Sequence, residues 1–282
     1  EQHRDGLCNA IKMFLDSKKS VVRAYVLRLL NAHFVLEASN LCASALDNIS
    51  TISRTSPVFT IFVDTNFLFS ILGLHDNPAN DSAKKLLNLA NSLFERVNMK
   101  FYVVPDTLRE ARHTLEGYLQ SASGIQVPPN VAEAASHART SGIIARYLSN
   151  VSQGEQAVGI DEYLDPYIRN LTTIVREKGI EVYQDRKIEG YDANQAVIDD
   201  ILEQQRYEQM YWGPRAKSYE KLKHDLVLWH FAKDKRPVGA ELINARYWVV
   251  TLDNRFLGFD AYKRQGTAEV PTCIHPATLI QL

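Results

Sequence analysis

The chain has 282 residues, 45% of them hydrophobic and 23% charged, with a net charge of -1 and a pI near 6.8. That composition belongs to a well-packed protein and excludes a disordered one. The near-neutral balance neither announces nor excludes a nucleic-acid binder, because local basic patches govern such binding more than the total does.

Cys8, Cys42 and Cys273 lie far apart, with no CxxC. This argues against a zinc module and a disulfide framework, and for a reducing, cytoplasmic setting. No apolar run reaches the roughly 18 residues of a membrane span, so no membrane partner is expected. No signal peptide is visible, and the chain opens on Glu1 rather than Met, as a piece of a longer chain would.

Taken in order, residues 1–56 read as an N-terminal helical segment. Val22, Tyr25, Val26, Leu29 and Leu30 recur at three- and four-residue spacing. The polar stretch from Ser50 to Pro57 breaks that pattern and marks the expected boundary, leaving 57–282 as the main domain. A buried strand is predicted at about 58–63 from its β-branched and aromatic content. An amphipathic helix follows from Asn80 to Val97, then a second strand from Lys100 to Val104 and a helix from about Asp106 to Tyr118. Strand followed by helix, twice over, marks parallel α/β architecture. The stretch 119–217 reads as a mostly helical insertion, with a short strand at Ile180–Val182. A helix over about Ser218–Lys233, a strand over 246–252 and a last strand at Thr272–Ile274 resume the α/β pattern.

Four acids stand at the edges of these apolar segments. Asp64 ends the first strand. Glu110 follows the second. Asp225 lies within the later helix, between Leu222 and Trp229 on one face. Asp253 ends the strand that closes at Leu252. Gathered carboxylates repel unless a cation lies between them, which points to a hard metal ion and to chemistry on phosphate. Each acid also has a structural explanation. Asp64 can cap a helix or a turn. Thr107-Leu108-Arg109-Glu110 fits a capping box. Asp225 can sit in a buried salt bridge. Asp253-Asn254 is a common turn pair.

These residues resemble the PIN domain, a family of metal-dependent nucleases. The matching pieces are Phe62-Val63-Asp64-Thr65-Asn66, Val104 to Glu110, His224-Asp225, Val250 to Phe256, and Ile274 to Leu279. They cover about 58–118 and 218–282. The resemblance implies a three-layer αβα fold with a mostly parallel central sheet, to which the N-terminal helices and the insertion are additions. It implies that Asp64, Glu110, Asp225 and Asp253 are the catalytic and metal-binding set for Mg²⁺ or Mn²⁺, supported by Asn66 and Thr251. A metal-bound water would attack phosphorus in line, leaving a 5′-phosphate and a 3′-hydroxyl.

The resemblance favours single-stranded RNA as the substrate, while the residues themselves do not separate RNA from DNA. Cations near the proposed site, Arg215, Lys217, Lys221, Lys223, Lys233, Lys235 and Arg236, are candidate backbone contacts, with Lys263 and Arg264 beyond them; the alternative is a solvated helix surface. Tyr191, Tyr207, Tyr211, Trp212 and Tyr219 are candidates for base stacking or for core packing. An inhibitor or antitoxin protein and a homo-oligomer are further candidate partners. Two other functions compete with the nuclease. One is a catalytically silent PIN-like module that binds RNA or protein. The other is a phosphatase with Asp64 as nucleophile, which Asn66 disfavours because that chemistry usually wants a second acid two residues on. No GxGxxG follows the first strand, which disfavours a dinucleotide-binding fold.

Overall fold

The computed structural model describes residues 58–281 apart from 78, 94–96, 123, 125–126, 138–141, 154–158 and 241–243, together with a few isolated positions before residue 26. The chain separates into two compact units, Glu1–Arg54 and Thr55–Leu282. Apart from those isolated positions, the helices expected over 1–56 lie outside the described residues, as does the break from Ser50 to Pro57.

The second unit is an α/β domain with a five-stranded, all-parallel sheet in the order β3-β2-β1-β4-β5. The strands are β1 (Val58–Val63), β2 (Asn98–Val103), β3 (Ile180–Val182), β4 (Tyr247–Val250) and β5 (Cys273–Ile274). Central β1 places Ile61 against Phe101 and Trp248, and Val63 against Val250. A strand covered on both faces carries apolar side chains at successive positions. Ile61 and Val63 enter one core and Phe62 the other, and all three are fully buried.

Helices cover both faces, which makes three layers. On one face lie α1 (Thr65–Leu72), α2 (Asn80–Ser92), α3 (Pro105–Ala122), α4 (Pro129–His137), α5 (Ile143–Ser152) and α6 (Ile160–Glu177). On the other lie α7 (Gln195–Trp212), α8 (Tyr219–Asp234) and α9 (Asn254–Lys263). A short α10 (Pro276–Gln281) closes the chain. Gly73 stops α1 by adopting the left-handed conformation, φ 67°, with its N–H on the Ser70 carbonyl.

The long segment 119–217 is woven into the sheet. It supplies β3, which pairs with β2, and α6, which packs on α3. Strand order reverses at β1, where the chain builds first toward β2 and β3 and then toward β4 and β5. In open α/β sheets, the crevice beyond the carboxyl ends of the strands at such a reversal is where ligands bind. No helix among the described residues is long and apolar enough to cross a membrane.

Candidate metal centre

The reversal point carries a cleft of about 660 Å³ lined by Asp64, Glu110, Asp225 and Asp253, the four acids that the sequence singles out. Each arrives by a different route. Asp64 follows β1 at the start of α1, but its side chain makes no capping bond there. It is 2% exposed and accepts a 2.7 Å hydrogen bond from Thr251 Oγ1, just after β4. Thr251 in turn accepts from the Asp253 backbone N–H at 3.0 Å, so one hydroxyl joins the ends of the two strands. Thr251 thus holds one oxygen of the Asp64 carboxylate. Asn66 sits exposed on the cleft wall.

The capping-box explanation of Glu110 does not hold. Pro105 already occupies the first turn of α3, so Thr107 lies inside the helix. Thr107 Oγ1 instead meets His224 Nε2 at 2.9 Å. Glu110 Oε2 accepts from Thr65 Oγ1 at 2.6 Å and lies 3.0 Å from His224 Nδ1. Nδ1 is also 3.5 Å from Asp225 Oδ1. Neither contact of this buried nitrogen is aligned as a hydrogen bond, so charge rather than geometry holds the ring between the two carboxylates.

Asp225 shares its helix face with buried Leu222 and Trp229, as spacing predicts. The desolvated carboxylate is matched by Lys217 Nζ, which contacts Asp225 Oδ2 and lies 2.5 Å from Asp253 Oδ2. The buried salt bridge weighed for Asp225 is therefore present. Asp253 does two jobs: Oδ1 caps α9 by accepting from the Arg255 and Phe256 backbone N–H groups, while Oδ2 pairs with Lys217.

The electrostatics follow from burial and neighbours. Burial pushes the Asp64 carboxyl up to about 7, with the Asp225 charge adding to it. Among the described residues no lysine or arginine pairs with Asp64. Burial also raises the Glu110 carboxyl, but His224 and the Thr65 hydroxyl outweigh it and bring the group down to about 2. His224 is raised well above the ordinary histidine value, because Asp225 and Glu110 overcome the cost of burying its charge. Asp253 is held low, since Lys217 and the two backbone N–H groups outweigh its desolvation.

One donor atom each from Asp64, Glu110 and His224 lie within 4.8 Å of one another. Two carboxylates and an imidazole suit a divalent ion of the Mn²⁺ kind, and an all-oxygen Mg²⁺ site less well. The residues fit such an ion for a second reason, in that Asp64 is a desolvated carboxyl lacking a cation. If His224 serves as a ligand it does so neutral, with Nε2–H donating to Thr107 Oγ1 to orient the ring.

The structure thus brings the four acids to one cleft, but splits them. Asp64 and Glu110 converge with His224, while Asp225 and Asp253 share an ammonium. His224 and the inward role of Lys217 escape sequence reasoning. The one available signal was that His224 adjoins Asp225 on an apolar helix.

The candidate cations also divide. Arg215 and Lys221 stand exposed at the cleft mouth beside Lys217. Lys223 pairs with Asp192, Lys233 with Glu269 and Lys235 with Asp185. Arg236 donates to the Tyr247 and Val270 carbonyls and stacks on Trp248. Lys263 binds Asp200, and Arg264 binds Asp260. Among the aromatics, Tyr191 packs on Phe231. Tyr207 and Trp212 line a second hollow of about 960 Å³ that shares Asn66, His75, Gly142, Asp253 and Arg255 with the cleft. Comparison of the chain with protein-family models, curated proteins and solved structures gives no match.

Proposed function

We propose that this domain is a metal-dependent endoribonuclease of the PIN-like kind that cleaves single-stranded RNA, consistent with a reducing, cytoplasmic setting. The observation that carries the reading is the convergence of Asp64, Glu110 and His224 at the carboxyl ends of β1 and β2, beside the point where strand order reverses. Asp64, Glu110 and neutral His224 would hold one Mn²⁺ or Mg²⁺. A bound ion would supply an activated water and offset charge on the phosphate oxygens.

The protein's own groups do the rest. Thr251 and Thr65 fix the carboxylates of Asp64 and Glu110, and Thr107 fixes the imidazole. Arg215 and Lys221 at the mouth meet the phosphodiester backbone, and the adjoining hollow with Tyr207 and Trp212 has room and ring faces for unpaired bases. No single acid is assigned as general base, because carboxylates this close titrate as a set.

A specific observation favours a second reading, that of a catalytically silent RNA- or protein-binding module. Lys217 and His224 already neutralise part of the acidic cluster without any ion. Labelled single-stranded RNA incubated with Mn²⁺ separates the two. Cleavage by the wild type and its loss in Asp64→Asn support the nuclease. Binding without cleavage, or cleavage unchanged in that variant, supports the silent module or a contaminant.

A further inference from the structure

Four carboxylates stand at the floor of the cleft, with His224 and the Lys217 ammonium among them. Arg255 is committed to Glu208, and Arg215 and Lys221 lie out in solvent at the mouth, where water screens them. With all four acids ionised and His224 neutral, as a ligand must be, Lys217 leaves three negative charges. One divalent ion brings that to a single negative charge. Two ions would overshoot to a positive one unless Lys217 left.

The placement of Lys217 argues that it does not leave. It belongs to the short connection between α7 and α8, after a 3₁₀ turn over Gly213–Arg215. Its backbone N–H donates to Glu208 Oε2 at 2.9 Å, and the same oxygen accepts from Arg255 Nη1 at 2.6 Å. Glu208 is fully buried on α7. The Lys217 side chain is only 14% exposed, and its Nζ lies 5.9 Å from the Phe256 ring centroid. A lysine anchored at its backbone, desolvated along its stem and shared between two carboxylates is a built-in part of the floor. A surface side chain resting there would show none of this.

We propose that the Lys217 ammonium is the resident second cation of this cleft, filling between Asp225 and Asp253 the place a second divalent ion would take, so that the site runs on a single exchangeable metal. The proposal rests on the metal-dependent reading of the cleft and assigns Asp225 and Asp253 to holding Lys217, leaving Asp64, Glu110 and His224 for the ion. A fixed ammonium beside the metal would face the phosphate with a charge that no chelator removes.

Counting bound Mn²⁺ by equilibrium dialysis tests this without any substrate. The wild type is expected to bind one ion per chain and Lys217→Met two, the second being lost again in Lys217→Met/Asp253→Asn. Lys217→Arg, which keeps the charge, is expected to stay at one. Two ions in the wild type or in Lys217→Arg overturn the proposal, because the side chain would then yield its place. One ion in a folded Lys217→Met, judged by circular dichroism, overturns it as well. No ion in the wild type would overturn both the proposal and the metal-centre reading beneath it, and so is distinguishable from the other failures.

Discussion

Replacing Asp64 by Asn should make the metal-free protein more stable at mildly alkaline pH while abolishing its metal response. The Asp64 carboxyl rises from 3.8 to about 7 on folding, chiefly through burial. The folded protein therefore keeps a proton that the unfolded chain gives up. Its contribution is fully present below pH 3.8 and is lost as the pH climbs through about 7. Three pKa units correspond to about 4 kcal/mol at most of destabilisation by the ionised carboxylate, an upper bound because neighbouring charges rearrange. Asparagine keeps an oxygen to accept from Thr251 and carries no charge. In thermal melts at about pH 8 with a chelator present, Asp64→Asn should melt several degrees above the wild type, at roughly 2–4 °C per kcal/mol for a domain of this size. The gap should narrow as the pH falls below about 7 and close only near 3.8. Added Mn²⁺ should raise the wild-type midpoint and leave the variant unmoved. A variant that melts lower than the wild type at about pH 8, or a gap that ignores pH, would refute the argument that Asp64 is an uncompensated buried charge.

Three further outcomes are expected. Glu110 drops from 4.5 to about 2, so its share of stability is present above 4.5 and is lost as the pH falls through about 2; acid titration by circular dichroism should show Glu110→Gln losing the wild type's advantage in that window, and identical acid transitions would contradict it. Thr251→Val removes the hydroxyl that holds Asp64 and should weaken Mn²⁺ binding by about 10–100-fold with the fold intact, as second-sphere losses do; unchanged affinity in a calorimetric titration would show that Thr251 does not orient the ligand. RNA affinity should fall steeply with salt, and Arg215→Ala and Lys221→Ala should each reduce the slope of log affinity against log salt by about 0.7, whereas Lys223→Ala, already paired with Asp192, should change it little.

The sheet was legible because its strands are short, continuous apolar runs: Val58–Val63 falls where its composition puts it, and Ile180–Val182 takes its place beside β2. Helix α1 was not, since Phe67 to Leu72, just past Asp64-Thr65-Asn66, is a second short apolar run broken only by Ser70, and periodicity cannot tell helix from strand in so short a run. The acids were legible as strand-end residues. Their division into two groups was not, and α8 shows why. Leu222, His224, Asp225, Leu226, Val227, Leu228 and Trp229 are all buried, so from Leu222 to Trp229 only Lys223 reaches solvent, and neighbours that point about 100° apart both face the acidic cluster. Lys217 looked like one more cation in a polar connection. Its backbone bond to Glu208 and its ion pairs with Asp225 and Asp253, 9, 8 and 36 residues away, turn it inward, and no local pattern encodes those. The capping-box alternative for Glu110 fails because that spacing is blind to a helix that has already begun at Pro105.

Glu208 gives the molecule an unexpected point of failure. This single inner carboxylate restrains both the main chain at Lys217 and the guanidinium of Arg255, which lies over Trp212. Its other oxygen is buried without a partner, so nothing else on the residue offsets a change there. Damage at a site that no ligand ever meets would therefore loosen the cleft floor and one wall of the neighbouring hollow in a single stroke. It would masquerade as an active-centre lesion.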